Sequence, residues 1–364
     1  MKTVLNLIDT SGPGGAETVF INLCIAQQRA GMRPIAVIKG PGYVLDQLQQ
    51  NGIDTRIVDS KGSFNFKLLK SLIRLVRDEN VALIQSHLFG SAVYASLAGL
   101  FGRVPVFATI HGVVDIDHRD RLLAAKLLML RLGCRKIIAV SDQIEALLRN
   151  LRPLSRKQVA RIYNGIDTSN YEKTAEAKLK DSMGLQNDLV IGSLGNIRKP
   201  KNYPLAIDTL AELHRQGIKA HLLIAGEGKG ELLEQLRSKI SETGLEGHVH
   251  ILGFVDDVRD FLSSLDVLLI SSSSEGHPLA LTQAMVNRLP IVATPCGVED
   301  ILEHEREALI ASSHEARELA VLIARIARNP DLAATLARNA QARAMERYSL
   351  ESMTRQYFNL YEQY

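Results

Sequence analysis

The strongest constraint on this chain is a pattern that occurs twice. Short apolar runs alternate with segments of helical period, and a polar stretch separates the two series. In the first series Thr3–Ile8, Ile35–Ile38, Arg56–Val58, Leu83–Ser86, Val106–Ile110 and Lys136–Val140 read as strands. Residues 16–30, 44–50 and 67–79 read as helices, the second of them ended by Asn51-Gly52. The second series has strands at Leu189–Leu194, His221–Ala225, Val249–Leu252, Val267–Ile270 and Ile291–Ala293, with helices at 203–216, 231–243, 258–265 and 279–288. From residue 316 onward the pattern is helical: 316–328, 330–347 and 350–363. Strands that are apolar throughout, rather than alternating, belong to parallel sheets covered on both faces. The expectation is therefore α/β, with two Rossmann-like doubly wound parallel-sheet domains facing a central cleft.

A chain of 364 residues exceeds one ordinary core, which agrees with two domains. The first is expected to cover residues 1–166 and the second 189–347. The Lys-, Glu- and Asn-rich stretch 167–188 would connect them. A net charge of +3, spread along the chain, gives no basis for nucleic-acid binding. Cys24, Cys134 and Cys296 are odd in number and far apart, so buried free thiols and a reducing cytoplasm are expected. Neither a leader pattern at Met1-Lys2 nor an apolar run near the ~20 residues of a membrane span is present in the sequence.

In open parallel sheets ligands sit beyond the carboxyl ends of the strands, so the chemistry is expected in the loops that follow strands. Gly12-Pro13-Gly14-Gly15 follows the first strand and precedes a helix. Glycines admit close approach, and a helix start offers free amides to an anion. The run fits neither a dinucleotide fingerprint nor a P-loop, because Glu17 stands at the last Gly position and no Gly-Lys-Ser/Thr follows. A plain tight turn is the competing reading. Gly195-Asn196-Ile197-Arg198-Lys199-Pro200-Lys201-Asn202 also lies between strand and helix. Its three cations within four positions suit a diphosphate, although a solvated basic loop would look the same.

The run Ser271–Ser274, Glu275, Gly276, His277, Pro278, Leu279, Ala280 follows a strand ending at Ile270. Pro278 suits the first helical turn, Glu275 lies in the loop before it, and Gln283 falls on the second turn. Amides around Gly276–Ala280 are helix-start donors for a diphosphate or sugar hydroxyls, and Glu275 can accept from those hydroxyls. A Glu that only complements the helix dipole is the alternative. His111-Gly112 closes the strand Val106–Ile110. A lone His is more often structural, but its place at a strand's carboxyl end favours a role. His304-Glu305-Arg306-Glu307-Ala308 lacks the second His of a zinc helix, no G-x-S-x-G occurs, and Asp256-Asp257 point to different sides. No metal site and no cofactor are expected.

In this order and spacing, the runs resemble the retaining glycosyltransferases of family 4, with the GT-B fold. The resemblance also includes Glu17 after Gly14-Gly15-Ala16, Asn164-Gly165-Ile166-Asp167, Gly226-Glu227-Gly228, Leu252-Gly253-Phe254-Val255 and Pro295-Cys296-Gly297-Val298-Glu299, and spans essentially the whole chain. It implies a hexosyltransferase using a nucleotide diphosphate sugar, a UDP-sugar or GDP-sugar, bound by the carboxyl-terminal domain. The amino-terminal domain would offer a glycan or lipid-linked acceptor in cell-surface polysaccharide or lipopolysaccharide biosynthesis. Arg198 and Lys201 would neutralise the leaving diphosphate, and Glu275 would hold the transferred sugar with the amides of residues 277–280. Gln283 would meet the ribose, Phe254 and Val255 the nucleobase, and His111, Gly14 and Gly15 the sugar. The last helix, in residues 348–364, would cross back onto the first domain.

Two residues depart from the family pattern. Gln283 stands where a second Glu is usual, which implies altered or weaker nucleotide binding, since an amide both accepts and donates. Asn196 stands where an Arg is usual, and Arg198 on the same loop can supply that charge. A sugar-nucleotide epimerase on the same fold and a catalytically weak sugar-nucleotide-binding protein are the competing functions. Arg119, Arg121, Lys126, Arg131, Arg135 and Lys136 interleave with leucines. A basic amphipathic helix there would give a cytoplasmic enzyme peripheral contact with the inner face of the plasma membrane. Oligomeric state is left open by the sequence.

Overall fold

The structure is a computed structural model that describes residues 1–58, 65–113, 116, 119–171 and 177–364. It divides into two compact units: Met1–Gly165 with Leu350–Tyr364, and Ile166–Ser349.

The first unit is built on a sheet of β1 (Thr3–Ile8), β2 (Arg33–Ile38), β3 (Asp54–Ile57), β4 (Val81–His87), β5 (Val106–Ile110), β6 (Cys134–Ala139) and β7 (Val159–Arg161). Its spatial order is β3-β2-β1-β4-β5-β6-β7, and every neighbouring pair is parallel. The connecting helices are α1 (Gly15–Arg29), α2 (Tyr43–Gln50), α3 (Phe66–Asp78), α4 (Phe89–Gly102), α5 (Leu123–Gly133) and α6 (Asp142–Asn150). They cover the sheet, whose apolar residues divide between one cluster around Leu5, Ile84 and Ala108 and another around Ile8, Phe20 and Ile38. The order in which strands are added across the sheet reverses between β1 and β4, so the loops after these two strands open a crevice at the switch point.

The second unit repeats the plan with α7 (Lys178–Ser182), β8 (Leu189–Leu194), α8 (Tyr203–Arg215), β9 (Ala220–Ala225), α9 (Glu231–Thr243), β10 (Val249–Gly253), α10 (Val258–Ser263), β11 (Val267–Ile270), α11 (Leu279–Val286), β12 (Ile291–Ala293) and β13 (Leu309–Ile310). The order is β10-β9-β8-β11-β12-β13, again all parallel, with its switch point between β8 and β11. Two long helices follow, α12 (Ala316–Arg328) and α13 (Pro330–Arg347).

Helix α4 has no counterpart in the sequence reading. Its 14 residues are apolar nearly all round because it is packed on β4, β5, α3 and α5, so no amphipathic stripe marks it. α6, β7 and β13 were also not foreseen, the strands being only three and two residues long. The stretch 167–188, expected as a bare connection, contributes α7, which packs on α10, and its Lys180 ion-pairs with Asp266 at 2.8 Å. Residues 172–176 of that stretch lie outside the described residues. The basic helix foreseen over 119–136 is shorter than expected, since α5 ends at Gly133 and Arg135 and Lys136 belong to β6. A Cβ on Gly133 would press on Ser96 of α4, which marks how tightly the two helices pack. All three thiols are free and buried.

The final helix α14 (Leu350–Glu362) belongs to the first unit. Tyr357 Oη lies 2.9 Å from Thr109 Oγ1, and Tyr361 Oη donates to Gln85 Oε1 at 2.9 Å, all within the buried interior. Where the chain enters and leaves the second unit, the Ile166 amide donates to the Tyr348 carbonyl at 3.0 Å. Tyr361→Phe strands a buried acceptor, with an expected loss of about 1–3 kcal/mol. Thermal unfolding should show a midpoint lower by a few degrees; an unchanged midpoint would mean that the phenol does not hold this helix.

Candidate active site

In the second unit, the loops after β8 and β11 meet at the switch point. β8 delivers Gly195, whose φ of 146° is open to glycine and whose missing side chain leaves room for the Lys201 stem. Gly226, after β9, packs its backbone directly on Gly195 and Asn196, and any Cβ there would collide with the Gly195 carbonyl. These contacts fix the loop: Gly195 N–H donates to Ala225 O at 2.8 Å, and Ile197 N–H to Glu227 O at 2.7 Å. Asn196 Oδ1 accepts from the Glu227 amide at 3.0 Å. Asn196 thus serves the loop's architecture, which an Arg side chain could not do in the same way.

Lys201 Nζ donates to Glu275 Oε1 at 2.8 Å, and Ser272 Oγ donates to the same oxygen at 2.6 Å. The Lys201 and Glu275 side chains are 23% and 12% exposed, so the pair is screened less than an open surface pair. Glu275 is braced from the loop after β12 as well, its amide donating to Cys296 O at 2.7 Å. Ser271 Oγ and the Ser273 amide donate to the Lys201 and Pro200 carbonyls, tying the two loops together. Arg198 is exposed and has no ion pair among the described residues, so its charge is available. Pro278 is the cap of α11 and Gln283 lies on its second turn, half-buried. Gly276, Leu279 and Ala280 flank the helix start.

His277 is placed differently from the other members of its run. Its ring is turned inward, with Nε2 2.9 Å from Thr282 Oγ1 and the Tyr348 ring nearly perpendicular to it, centroids 4.7 Å apart. Only its backbone is left for a ligand. Phe254, 46% exposed, and Val255 follow β10 at its carboxyl end, the position of an open aromatic platform. Among the described residues no group of three His, Cys, Asp or Glu is arranged to hold a metal ion.

In the first unit His111 follows β5 and His87 ends β4, strands that lie side by side. His87 Nδ1 is 2.9 Å from His111 Nε2, with the rings stacked at 20°, and Phe20 meets His87 edge-on. Burial pushes the pKa of His111 down to about 3, and that of His87 well below the ordinary range, with His111 adding to the effect. Two neutral imidazoles sharing one hydrogen bond fix each other's tautomer. Leu88, next along, has φ of 73°, a strained value for a bulky residue at the turn into α4. The sequence reading missed His87, although the rule that singled out His111 applies equally to a His at the end of β4. Gly14 and Gly15 open α1, and a Cβ on Gly14 would strike the Glu17 carboxylate. The structure thus gathers Arg198, Lys201, Glu275 and Gln283 around one switch point, and His111 with the Gly14-Gly15 turn in the loops of the other unit.

Two parallel-sheet Rossmann-like units in one chain are the architecture of the GT-B fold, and comparison with known proteins supplies the family. Residues 13–170 match Glycosyltransferase Family 4, and residues 176–343 match Glycosyl transferases group 1. The chain belongs to this glycosyltransferase family. It is 22% identical to the N-acetyl-alpha-D-glucosaminyl L-malate synthase of Bacillus anthracis, over 82% of this chain and 79% of that one. It is 27% identical to the O-antigen biosynthesis glycosyltransferase WclY of Escherichia coli, over 52% and 53%. In fold it is similar to the crystal structure of Anabaena Alr3699/HepE in complex with UDP-glucose, with a TM-score of 0.91, 22% identity and full coverage of both chains.

The depressed histidines give a pH prediction. An unfolded His takes up its proton near pH 6.5, whereas His277 in the fold does so only at about 3. Its contribution to stability is complete above pH 6.5 and is lost as pH falls through that window, at about 1.4 kcal/mol per unit. Denaturation followed from pH 7.5 to 5 should show this loss, with a shallower slope in His277→Gln; identical slopes would refute the assignment. A second prediction concerns the pair. His87→Phe should turn the fixed tautomer of His111 into a mixture, visible in ring nitrogen-15 shifts.

Proposed function

We propose that this glycosyltransferase moves a hexose from a nucleotide diphosphate sugar, UDP- or GDP-linked, to a glycan or lipid-linked acceptor, with retention at the anomeric carbon. The observation that carries this reading is the Lys201–Glu275 pair at 2.8 Å beside the start of α11, with Arg198 exposed on the adjoining loop. Positive charge and helix amides are collected where a diphosphate leaves, and a carboxylate stands beside them for sugar hydroxyls. Arg198, Lys201 and the helix start would stabilise the charge that builds on the departing phosphate. The bond from the anomeric carbon to the diphosphate breaks as the acceptor oxygen bonds on the same face. The acceptor's proton passes to the leaving phosphate, so no carboxylate base is required.

On donor binding Lys201 turns from Glu275 to phosphate, and Glu275 accepts from the sugar. Gln283 meets the ribose and Phe254 the base, while His111 belongs to the acceptor-side unit. The HepE complexes with UDP and UDP-glucose, and the O-antigen role of WclY, support a nucleotide-sugar donor and a surface-polysaccharide product. The family's lipid-linked acceptors and the exposed Leu128 and Leu132 of α5, beside Arg131, support peripheral membrane contact. Among the described residues no helix is long and apolar enough to cross a membrane.

A thermal-shift screen against UDP-, GDP- and ADP-sugars should give stabilisation by one of the first two; no response to any would overturn the reading. Glu275→Ala and Arg198→Ala should each lower turnover by about 100-fold, with folding retained, and unchanged rates in both would move the site elsewhere. Gln283→Glu should tighten donor binding in the same assay. Proton NMR of the product fixes the anomeric outcome, and an inverted linkage would exclude retention.

A further inference from the structure

Four of the ten histidines lie together in the second unit, at the amino edge of its sheet and away from the donor loops. His214 is in the last turn of α8, His221 is on β9, His250 is on β10 and His248 lies just before it. Their rings touch in series. His214 meets His248 edge-on with centroids 4.6 Å apart, His248 meets His221 at 4.8 Å, and His221 stacks on His250 at 5.5 Å.

Hydrogen bonds fix where the protons sit. The Lys219 ammonium beside Asp188 holds its carboxyl below the usual range, and an ionised carboxylate only accepts. His221 therefore donates from Nε2 to Asp188 Oδ2 at 3.1 Å, and its Nδ1 is left to accept from His250 Nε2 at 3.3 Å. His214 Nε2 donates to the Ala220 carbonyl at 2.9 Å, tying the end of α8 to β9. His248 Nδ1 is buried and has no hydrogen-bond partner among the described residues, so it keeps its lone pair rather than an unpartnered proton. Asp188 is the carboxylate that meets the rings, and Lys219 already shares it at 3.0 Å. On α8 and α9, Asp208 and Lys239 pair with each other at 2.7 Å.

β10 depends on this cluster more than its neighbours do. It is the edge strand of its sheet and pairs only with β9. Of its five residues only Val249 is buried, whereas every residue of β9 is buried. The backbone ladder and the His221–His250 contact therefore supply the hold that core packing supplies elsewhere. The far end of β10 reaches the donor site. Gly226 N–H donates to Gly253 O at 2.7 Å, and Gly226 packs directly on Gly195 and Asn196, the loop that leads to Arg198 and Lys201. Phe254 and Val255 follow at once.

Acid works against this arrangement. Burial first, and then the neighbouring rings, depress the pKa of both His248 and His250. An unfolded His takes up its proton near pH 6.5, so the cluster's contribution is complete above that pH and is lost as pH falls below it. A proton arriving at His248 Nδ1 finds no acceptor. One arriving at His250 adds a cation to rings whose carboxylate is already shared with Lys219. We propose that the four histidines are an acid-released clamp on β10: below neutral pH the clamp opens, the edge strand loosens, and the donor loops that its far end supports lose affinity. The effect on donor affinity rests on the transfer reading; the clamp itself does not.

Hydrogen–deuterium exchange of the full chain at pH 7.5 and 5.5, corrected for the intrinsic pH dependence of exchange, is the test. Residues 249–253 should lose about tenfold more protection than residues 291–293 of β12, which share the unit but not the cluster. An effect of His277 through the whole unit would fall on both strands alike. In the double variant His248→Gln, His250→Gln the difference should vanish, because an amide at residue 250 can still donate to His221 Nδ1 and takes up no proton. Equal loss in β10 and β12 of the parent chain, or an undiminished difference in the variant, would overturn the clamp. Ring proton shifts of the parent chain need no variant: His248 and His250 should gain protons as β10 opens, and rings that stay neutral throughout would refute the proposal. Affinity for UDP-glucose and GDP-mannose, whose diphosphates do not titrate in this range, is the second readout. It should fall several-fold from pH 7.5 to 5.5 in the parent and stay level in the variant. Level affinity beside an opened β10 refutes the coupling to the donor site alone. A chain that binds neither sugar nucleotide at either pH refutes the transfer reading, while the exchange result still decides the clamp.

Discussion

Two-sided burial of a parallel sheet is the constraint on which the rest depends. A strand covered by helices on both faces must be predominantly apolar, with buried polar residues such as Asn6, Gln85 and Thr109 hydrogen-bonded, and a parallel neighbour is reached by a crossover, here through helices. Every strand in a unit therefore ends at the same edge, and every chemically useful loop starts there. In each unit the strand order also reverses once, at β1/β4 and at β8/β11, which splays adjacent loops apart. The Lys201–Glu275 pair lies at one of these points and the His87–His111 pair in the loops beside the other. Position follows from topology; only the identity of the side chains is left to the individual sequence.

The donor-side loops show how little freedom remains once the backbone is packed. Gly195 and Gly226 touch backbone to backbone, and Asn196 caps the contact through the Glu227 amide. The usual Arg at residue 196 would have projected a charge; Asn spends its side chain on the loop itself, and Arg198 is the charge that stays exposed. Glu275 is held by Lys201, by Ser272 and through its amide by Cys296. Two side chains thus orient the carboxylate while Cys296 holds its backbone, and a ligand arriving there meets a group already fixed in place.

The first unit combines two kinds of environment at its carboxyl edge. Around His87 and His111 burial keeps both rings neutral, which suits hydrogen bonding rather than charge. A few residues away, aliphatic side chains enclose a space with a cation at its rim. The same helix, α5, supplies cavity lining, core and exposed leucines from three of its sides, so a short segment serves packing and surface together.

The sequence by itself determined the doubly repeated α/β plan, because continuous apolar runs and helical periodicity are one-dimensional signals. β8 and α9 were legible to the residue, and so were the loops that carry Arg198, Lys201 and Glu275. Tertiary structure alone decided what those signals cannot encode. Helix α4 is apolar nearly all round because strands and helices pack on most of it, and its exposed positions Leu100 and Phe101 are apolar too, so no periodicity announces it. His277 and Glu275 are two residues apart and look alike as candidates, yet one ring turns inward to Tyr348 and the other side chain faces Lys201. His87 gains its partner only because β4 and β5 lie side by side, 24 residues apart in the chain. The cavity along α5 exists only where helices and strand ends remote in sequence close around a space, and no local pattern records an enclosed volume.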